Sequence, residues 1–128
     1  GYDGSPESER ALAAARELAA ALHAKLSAFE AIALPNYVFV GSPEALERPL
    51  HATLGNARAR IAALHAEPHA AYGRAPAELE VYGASLDLLV VGSHGYGPFA
   101  RLVHGSTSQK LARTLRCPLL VITPQQRA

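Results

Sequence analysis

Leu12, Ala15, Leu18, Ala19, Leu22 and Leu26 follow one another at three- and four-residue steps. That spacing gathers apolar side chains on one face of an α-helix. Ser5, just ahead, can accept from the first free helical N–H groups, and Pro6 suits the first helical position because its missing N–H would be unpaired there. The pattern then changes. Leu26 to Leu34 is rich in Ala, Phe, Ile and Leu and ends at Pro35, which predicts a buried strand, although alanine is a poor strand former. The stretch from Tyr37 to Pro43 reads as an irregular connection. A second helical stripe runs through Leu46, Leu50, Leu54, Ala57, Ile61 and Leu64, and Pro49 puts the start of regular helix near Arg48 or Pro49 rather than at Glu44. Glu67 to Tyr72 predicts a short strand, Gly73 a break, and Pro76 a short helix through Ala77, Leu79 and Val81.

Asp87-Leu-Leu-Val-Val91 is continuously apolar after its aspartate and stops at a glycine, as expected of a parallel strand covered on both faces. Ser106 or Thr107 then caps a helix carrying Leu111, Ala112 and Leu115, and Pro118 to Thr123 closes the chain as a final strand. Helices alternating with strands predict an α/β layered fold with a mostly parallel sheet. No repeat or linker divides the chain, so residues 1–128 are read as one domain. Right-handed crossovers would bring the loops after the strands to one edge of the sheet, where ligands collect.

Composition narrows the classes of function. Hydrophobic residues make up 49% and charged residues 18% of the 128, the balance of a soluble globular chain. The net charge of +1, with no basic block and few aromatic residues, offers no footprint for nucleic acid. No apolar run approaches the roughly 20 residues that span a bilayer, so no membrane association is expected. The single cysteine, Cys117, cannot form an internal disulfide, and no signal-peptide pattern opens the chain. A cytoplasmic protein is the expectation. The chain contains no methionine and begins Gly1-Tyr2-Asp3-Gly4-Ser5, which reads as the end of a first strand whose earlier residues are absent.

The chemistry concentrates after Val91. Gly92 and Gly95 follow the strand, and Gly105 leads into Ser106-Thr107-Ser108 at a helix start. Glycines there permit a tight turn and let backbone approach a ligand that a β-carbon would obstruct. A helix start offers unpaired N–H groups and the positive end of its dipole, which favour phosphate, and the hydroxyls add donors. The loop contains no GxxxxGK[ST] and no GxGxxG, which disfavours a P-loop ATPase. Taken alone, a glycine cluster of this kind is as often an ordinary turn.

Gly92-x2-Gly95-x9-Gly105-Ser106 resembles the ATP-binding signature of the universal stress protein family. Tyr2-Asp3-Gly4-Ser5, Gly73-Arg-Ala-Pro76, Asp87 to Gly95 and Cys117 to Ile122 resemble further blocks of that family, in family order. The resemblance implies a three-layer sandwich, a five-stranded mostly parallel sheet with helices on both faces. It also implies ATP, or ADP or AMP, as ligand, with Mg²⁺ riding on the phosphates. Asp3, with Gly4 and Ser5 beside it, would meet the ribose hydroxyls, and the backbone near Ala31 the adenine edge. The run Val91-Gly92-Ser93-His94-Gly95 and the run Gly105-Ser106-Thr107-Ser108 would enclose ribose and phosphates. A homodimer through the final strand, Leu119–Ile122, is expected both from the family and from the tendency of an apolar sheet edge to find a partner. The stretch from Pro76 to Asp87 is about one helical turn shorter than the family pattern.

Each candidate has a plainer alternative. Asp3 before Gly4 is a common turn pair. His94 is expected to point to solvent, while His104, beside Gly105, is better placed to meet phosphate. Arg101 and Lys110 could assist phosphate binding or stay solvated, and Cys117 is expected to be a packed, inert thiol. His65 and His69 are separated by Pro68, so no metal site is expected. No Walker lysine, second acidic motif or catalytic dyad is present, which argues against rapid hydrolysis. The expected function is an ATP-binding regulatory module of the stress response. The alternatives are a dimeric interaction protein of the same fold without nucleotide, or a slow ATPase or phosphotransferase.

Overall fold

The computed structural model describes residues 1–35, 40–93 and 106–124. Four helices alternate with four strands in chain order: α1 (Pro6–Leu22), β1 (Ser27–Ile32), α2 (Pro43–Ala63), β2 (Glu67–Tyr72), α3 (Ala75–Gly83), β3 (Leu89–Gly92), α4 (Ser106–Thr114) and β4 (Leu119–Ile122).

The α2 stripe shows why these residues form helices. Leu46, Leu50, Leu54, Ala57 and Ile61 are buried or half-buried, and every other residue of α2 is exposed. The helix nevertheless starts earlier than Pro49 predicts. Ser42 caps it, accepting from the Ala45 N–H at 3.3 Å, and Pro43 takes the first turn, where its missing donor costs nothing. Pro49 therefore lies inside the helix. It removes one interior hydrogen bond, but on an exposed first half where the chain can adjust and water can serve the freed carbonyl.

The strands pair in parallel as β1 with β2, from Ser27 opposite Glu67 to Ile32 opposite Tyr72, and β3 with β4, from Leu89 opposite Leu119 to Gly92 opposite Ile122. Side chains alternate between two cores. Phe29, Leu79, Leu89, Val91 and Leu111 form one cluster, on the face that carries α3 and α4. Ala28, Ile61 and Ala66 form the other, on the face covered by α2. Gly92 turns toward the start of α1, so α1 joins α2 on that second face. Helices thus cover both faces of the strand layer.

The expected five-stranded sheet is found, among the described residues, as four strands in two pairs. Gly1 to Asp3 lies between the pairs. The Gly1 amine donates to the Val90 carbonyl at 2.9 Å and the Tyr2 N–H to the Phe29 carbonyl at 2.8 Å. Two bonds join the pairs without making a ladder. The first strand predicted from the apolar pattern also stops early, at Ile32 rather than Leu34, because Ala33 to Pro35 leave the core and Leu34 is exposed. Residues 36–39, which include the first three residues of the Tyr37 to Pro43 connection, lie outside the described residues.

Candidate functional site

The two bonds that hold Gly1 and Tyr2 deliver Asp3 to the carboxyl ends of β1 and β3. The chain then turns sharply. Gly4 has a φ of +81°, a left-handed conformation that costs glycine nothing. One oxygen of Asp3 accepts from the Ser5 N–H at 2.9 Å, and Ser5 in turn caps α1 through the Ser8 N–H at 3.2 Å. The Ser8 hydroxyl receives the Asp3 N–H at 3.3 Å and donates to the Ser5 carbonyl at 2.9 Å. The turn is thus rigid, and Asp3 performs the local role that its place before glycine suggests. Its exposed carboxylate nevertheless borders the cavity described next.

That cavity measures about 270 Å³. Asp3 and Ser5 line it from the N-terminal turn, Ala31 from β1, Val91 and Gly92 from β3, and Ser106, Thr107 and Ser108 from the start of α4. The structure therefore gathers at one edge eight of the residues singled out in the sequence. Gly4 forms the turn behind them, and Ser93 is buried, its N–H donating to the Ile122 carbonyl at 3.0 Å. His94, Gly95 and Gly105 lie outside the described residues, as do Arg101 and His104.

Glu7, Ser8, Phe29, Ala75 and Leu79 also line the cavity and were not legible as site residues. They are framework residues of α1, β1 and α3, and only the folded chain shows that they share an edge. Gly92 is also explained differently from the sequence argument. A β-carbon there would stand 2.6 Å from the Glu7 carbonyl carbon, so the glycine first permits α1 to cross the end of β3. Close approach of protein backbone is by itself enough to require glycine at this position.

The charge pattern is unusual for a phosphate site. Asp3 and Glu7 border the cavity, and no described residue lining it carries a cationic side chain. Among the described residues, the groups there that would favour an anion are the α4 N-terminus and its hydroxyls. Among the described residues no group of three or more His, Cys, Asp or Glu could hold a metal ion by itself. Burial pushes the Gly1 amine down from 8.0 to about 5, with the Asp3 carboxylate partly opposing the shift. Tyr2 is pushed up to about 12, chiefly because its hydroxyl donates to Glu9 at 2.6 Å, with burial second.

Residues 1–123 match the model of the Universal stress protein family. The chain belongs to that family. A universal stress protein encoded in the QAH/OAS sulfhydrylase 3′ region of Thermus aquaticus is 36% identical over 132 residues, covering 94% of this chain and 93% of that protein. The universal stress protein UspA of Lactobacillus plantarum has the same fold, with a TM-score of 0.64 at 22% identity over 94% of this chain and 92% of its own. A universal stress protein crystallised in complex with cAMP superposes with a TM-score of 0.58 at 30% identity, covering 96% of this chain and 92% of its own. The layered α/β class read from the alternation of elements is therefore the family's fold. No helix among the described residues is long and apolar enough to cross a membrane.

Proposed function

We propose that this universal stress protein binds an adenine nucleotide, ATP foremost, at the edge where β1, β3 and α4 meet, and acts as a nucleotide-dependent regulatory module of the stress response. The observation that carries the reading is the cavity itself: Asp3, Ala31, Gly92 and the hydroxyl-bearing start of α4, far apart in sequence, border one space. The sequence spacing Gly92-x2-Gly95-x9-Gly105-Ser106 adds to it, as does the family relative that binds cAMP. Asp3 would take the ribose hydroxyls, Ala31 backbone the adenine edge, and Ser106 to Ser108 the phosphates. With two carboxylates and no described cation at the cavity, Mg²⁺ would accompany the phosphates and offset their charge.

The donors present bind phosphate without positioning a water or clamping a leaving group, so the module holds the nucleotide and does not consume it quickly. The pure chain is expected to retain labelled ATP, less so after chelation of divalent ions, and to release phosphate negligibly. Ser106→Asp places an acidic residue in the first turn of α4, which the helix dipole tolerates, but sets a carboxylate against the phosphates. It should weaken retention on the order of a hundredfold, ~2.7 kcal/mol. Equal retention by the variant would remove α4 from the site. Sustained phosphate release would favour a slow ATPase, and no retention by the parent chain an interaction protein.

The homodimer is proposed on a separate observation. The Leu89 N–H donates to the Pro118 carbonyl and the Ser93 N–H to the Ile122 carbonyl, so even-numbered positions of β4 face β3. Leu119 and Val121 then turn their backbone groups to the outer edge, where no described strand pairs with them. Sedimentation equilibrium at micromolar concentration should give twice the 13.5 kDa chain mass. Val121→Pro, which removes one outward donor, should shift it toward monomer. A monomeric parent chain would contradict the proposal.

A further inference from the structure

α3 packs beside α4 on one face of the strand layer, and the outer surfaces of the two helices differ in character. The inner side of α3 carries Leu79 and Gly83, both buried. Its outer side is apolar too. Ala77 and Val81 on the helix and Ala84 just past its end are exposed, Val81 at 74%. Spaced four and three residues apart, they share one face. A helix that is apolar all round is normally covered on both sides, and the outer side of α3 is open among the described residues.

Charge divides between the same two helices. α3 carries Glu78 and Glu80 and no cation, whereas α4 carries Lys110 and Arg113 and no acid. The Glu78 side chain folds back over Gly73, which leaves Glu80 as the outward acid. Glu80, Lys110 and Arg113 are exposed, and among the described residues none of them forms an ion pair. One surface thus holds an apolar stripe, an acidic position and a basic row side by side.

We propose that this surface docks a second copy of the chain, with α3 of each copy lying along α4 of the other. The charges select that match. Setting like helix on like would bring Glu80 against Glu80 and the basic row against itself, while a two-fold axis running between the helices and along them crosses the pairs. Ala75 and Ser106 to Ser108 border the same cavity, so the two helices start at one level. At ~1.5 Å per residue, Glu80 then stands near the level of Arg113 of the other copy. The aliphatic stems of Lys110 and Arg113 would cover Ala77 and Val81. The footprint is small. Two nine-residue helices, each ~14 Å long and ~10 Å apart, cover well under the ~1,200 Å² of a stable complex, so the association is weak and concentration-dependent. A copy docked here rests on the two helices whose first turns wall the cavity.

Sedimentation velocity of the 128-residue chain, from micromolar to near-millimolar concentration, tests the pairing. The weight-average mass should rise above its micromolar value, whatever that value owes to β4, and the rise should shrink as salt screens the charges. Glu80→Arg and Arg113→Glu each set like charges together twice across the two-fold axis. Each should weaken the association at least tenfold, ~1.4 kcal/mol. Circular dichroism checks that both surface variants keep the fold. An equimolar mixture of the two should associate as the parent does, because every opposed pair then joins opposite charges. That rescue requires position 80 of one copy to face position 113 of the other, and no effect confined to a single copy produces it. No rise in mass, a rise that neither reversal reduces, or two weakened variants that stay apart when mixed would each overturn the proposal.

Discussion

Replacing Gly92 by alanine is expected to destabilise the fold by about 3 kcal/mol, the upper part of the usual range for a forced overpacking. The added β-carbon would lie 2.6 Å from the Glu7 carbonyl carbon and 3.0 Å from the Glu7 β-carbon. Both belong to the first turn of α1, which the Ser5 cap and the Ser8 hydroxyl tie to the preceding turn. Backbone held in this way cannot swing aside as the end of a long side chain could. α1 must therefore lift from β3 or β3 must bend. Either movement opens the cavity between Asp3 and Ser106, so nucleotide retention should fall with stability. Urea denaturation measures the first effect. A variant within about 0.5 kcal/mol of the parent would show that this crossing is soft, and that the glycine serves another purpose.

Lowering the pH from 8 to 5 is expected to remove ~4 kcal/mol from the stability of a polypeptide that begins at Gly1. Its amine is taken from 8.0 in the unfolded chain to about 5 in the fold, because burial disfavours the charged form more than Asp3 favours it. The sign follows from proton uptake. Above pH 8 both states carry a neutral amine and nothing is lost. Between 8 and 5 the unfolded chain binds a proton that the folded chain refuses, so stability falls as pH falls, and below about 5 the loss is complete. Nα-acetylation removes the titrating group while keeping the N–H that donates to Val90. Denaturation profiles of the acetylated and free chains should therefore diverge below pH 8, every other group contributing to both. Parallel profiles across that window would mean that the amine stays hydrated.

How much of this was legible depended on how local the cause was. The α2 stripe from Leu46 to Ile61 could be read because burial on a helix follows its own period, and each of those positions is the less exposed one. The start of α2 could not, because Pro49 was weighed as a breaker and the Ser42–Pro43 cap overrode it. The turn role of Asp3 was visible as Asp before Gly, and the hydrogen bond to Ser5 is of that local kind. The position of Gly92 was visible, but its cause was not. Its neighbour Glu7 lies at the opposite end of the sequence, and no spacing within the loop encodes that crossing. The strand count was legible as far as the apolar pattern reached, which marks four strands, as found among the described residues. The fifth came from the family resemblance, and Gly1 to Asp3, where it would end, bridges the two pairs without forming a ladder with either.

The central claim is that one adenine nucleotide sits between Asp3 and the start of α4. Titrating the isotopically labelled chain with ATP and Mg²⁺, while following backbone amide resonances, tests it at residue level. Saturable shifts confined to Asp3, Ala31, Gly92 and Ser106 to Ser108 are expected, with the core amides of Ile61 and Ala57 unmoved. Shifts centred on any other surface, or none at millimolar ATP, would contradict it.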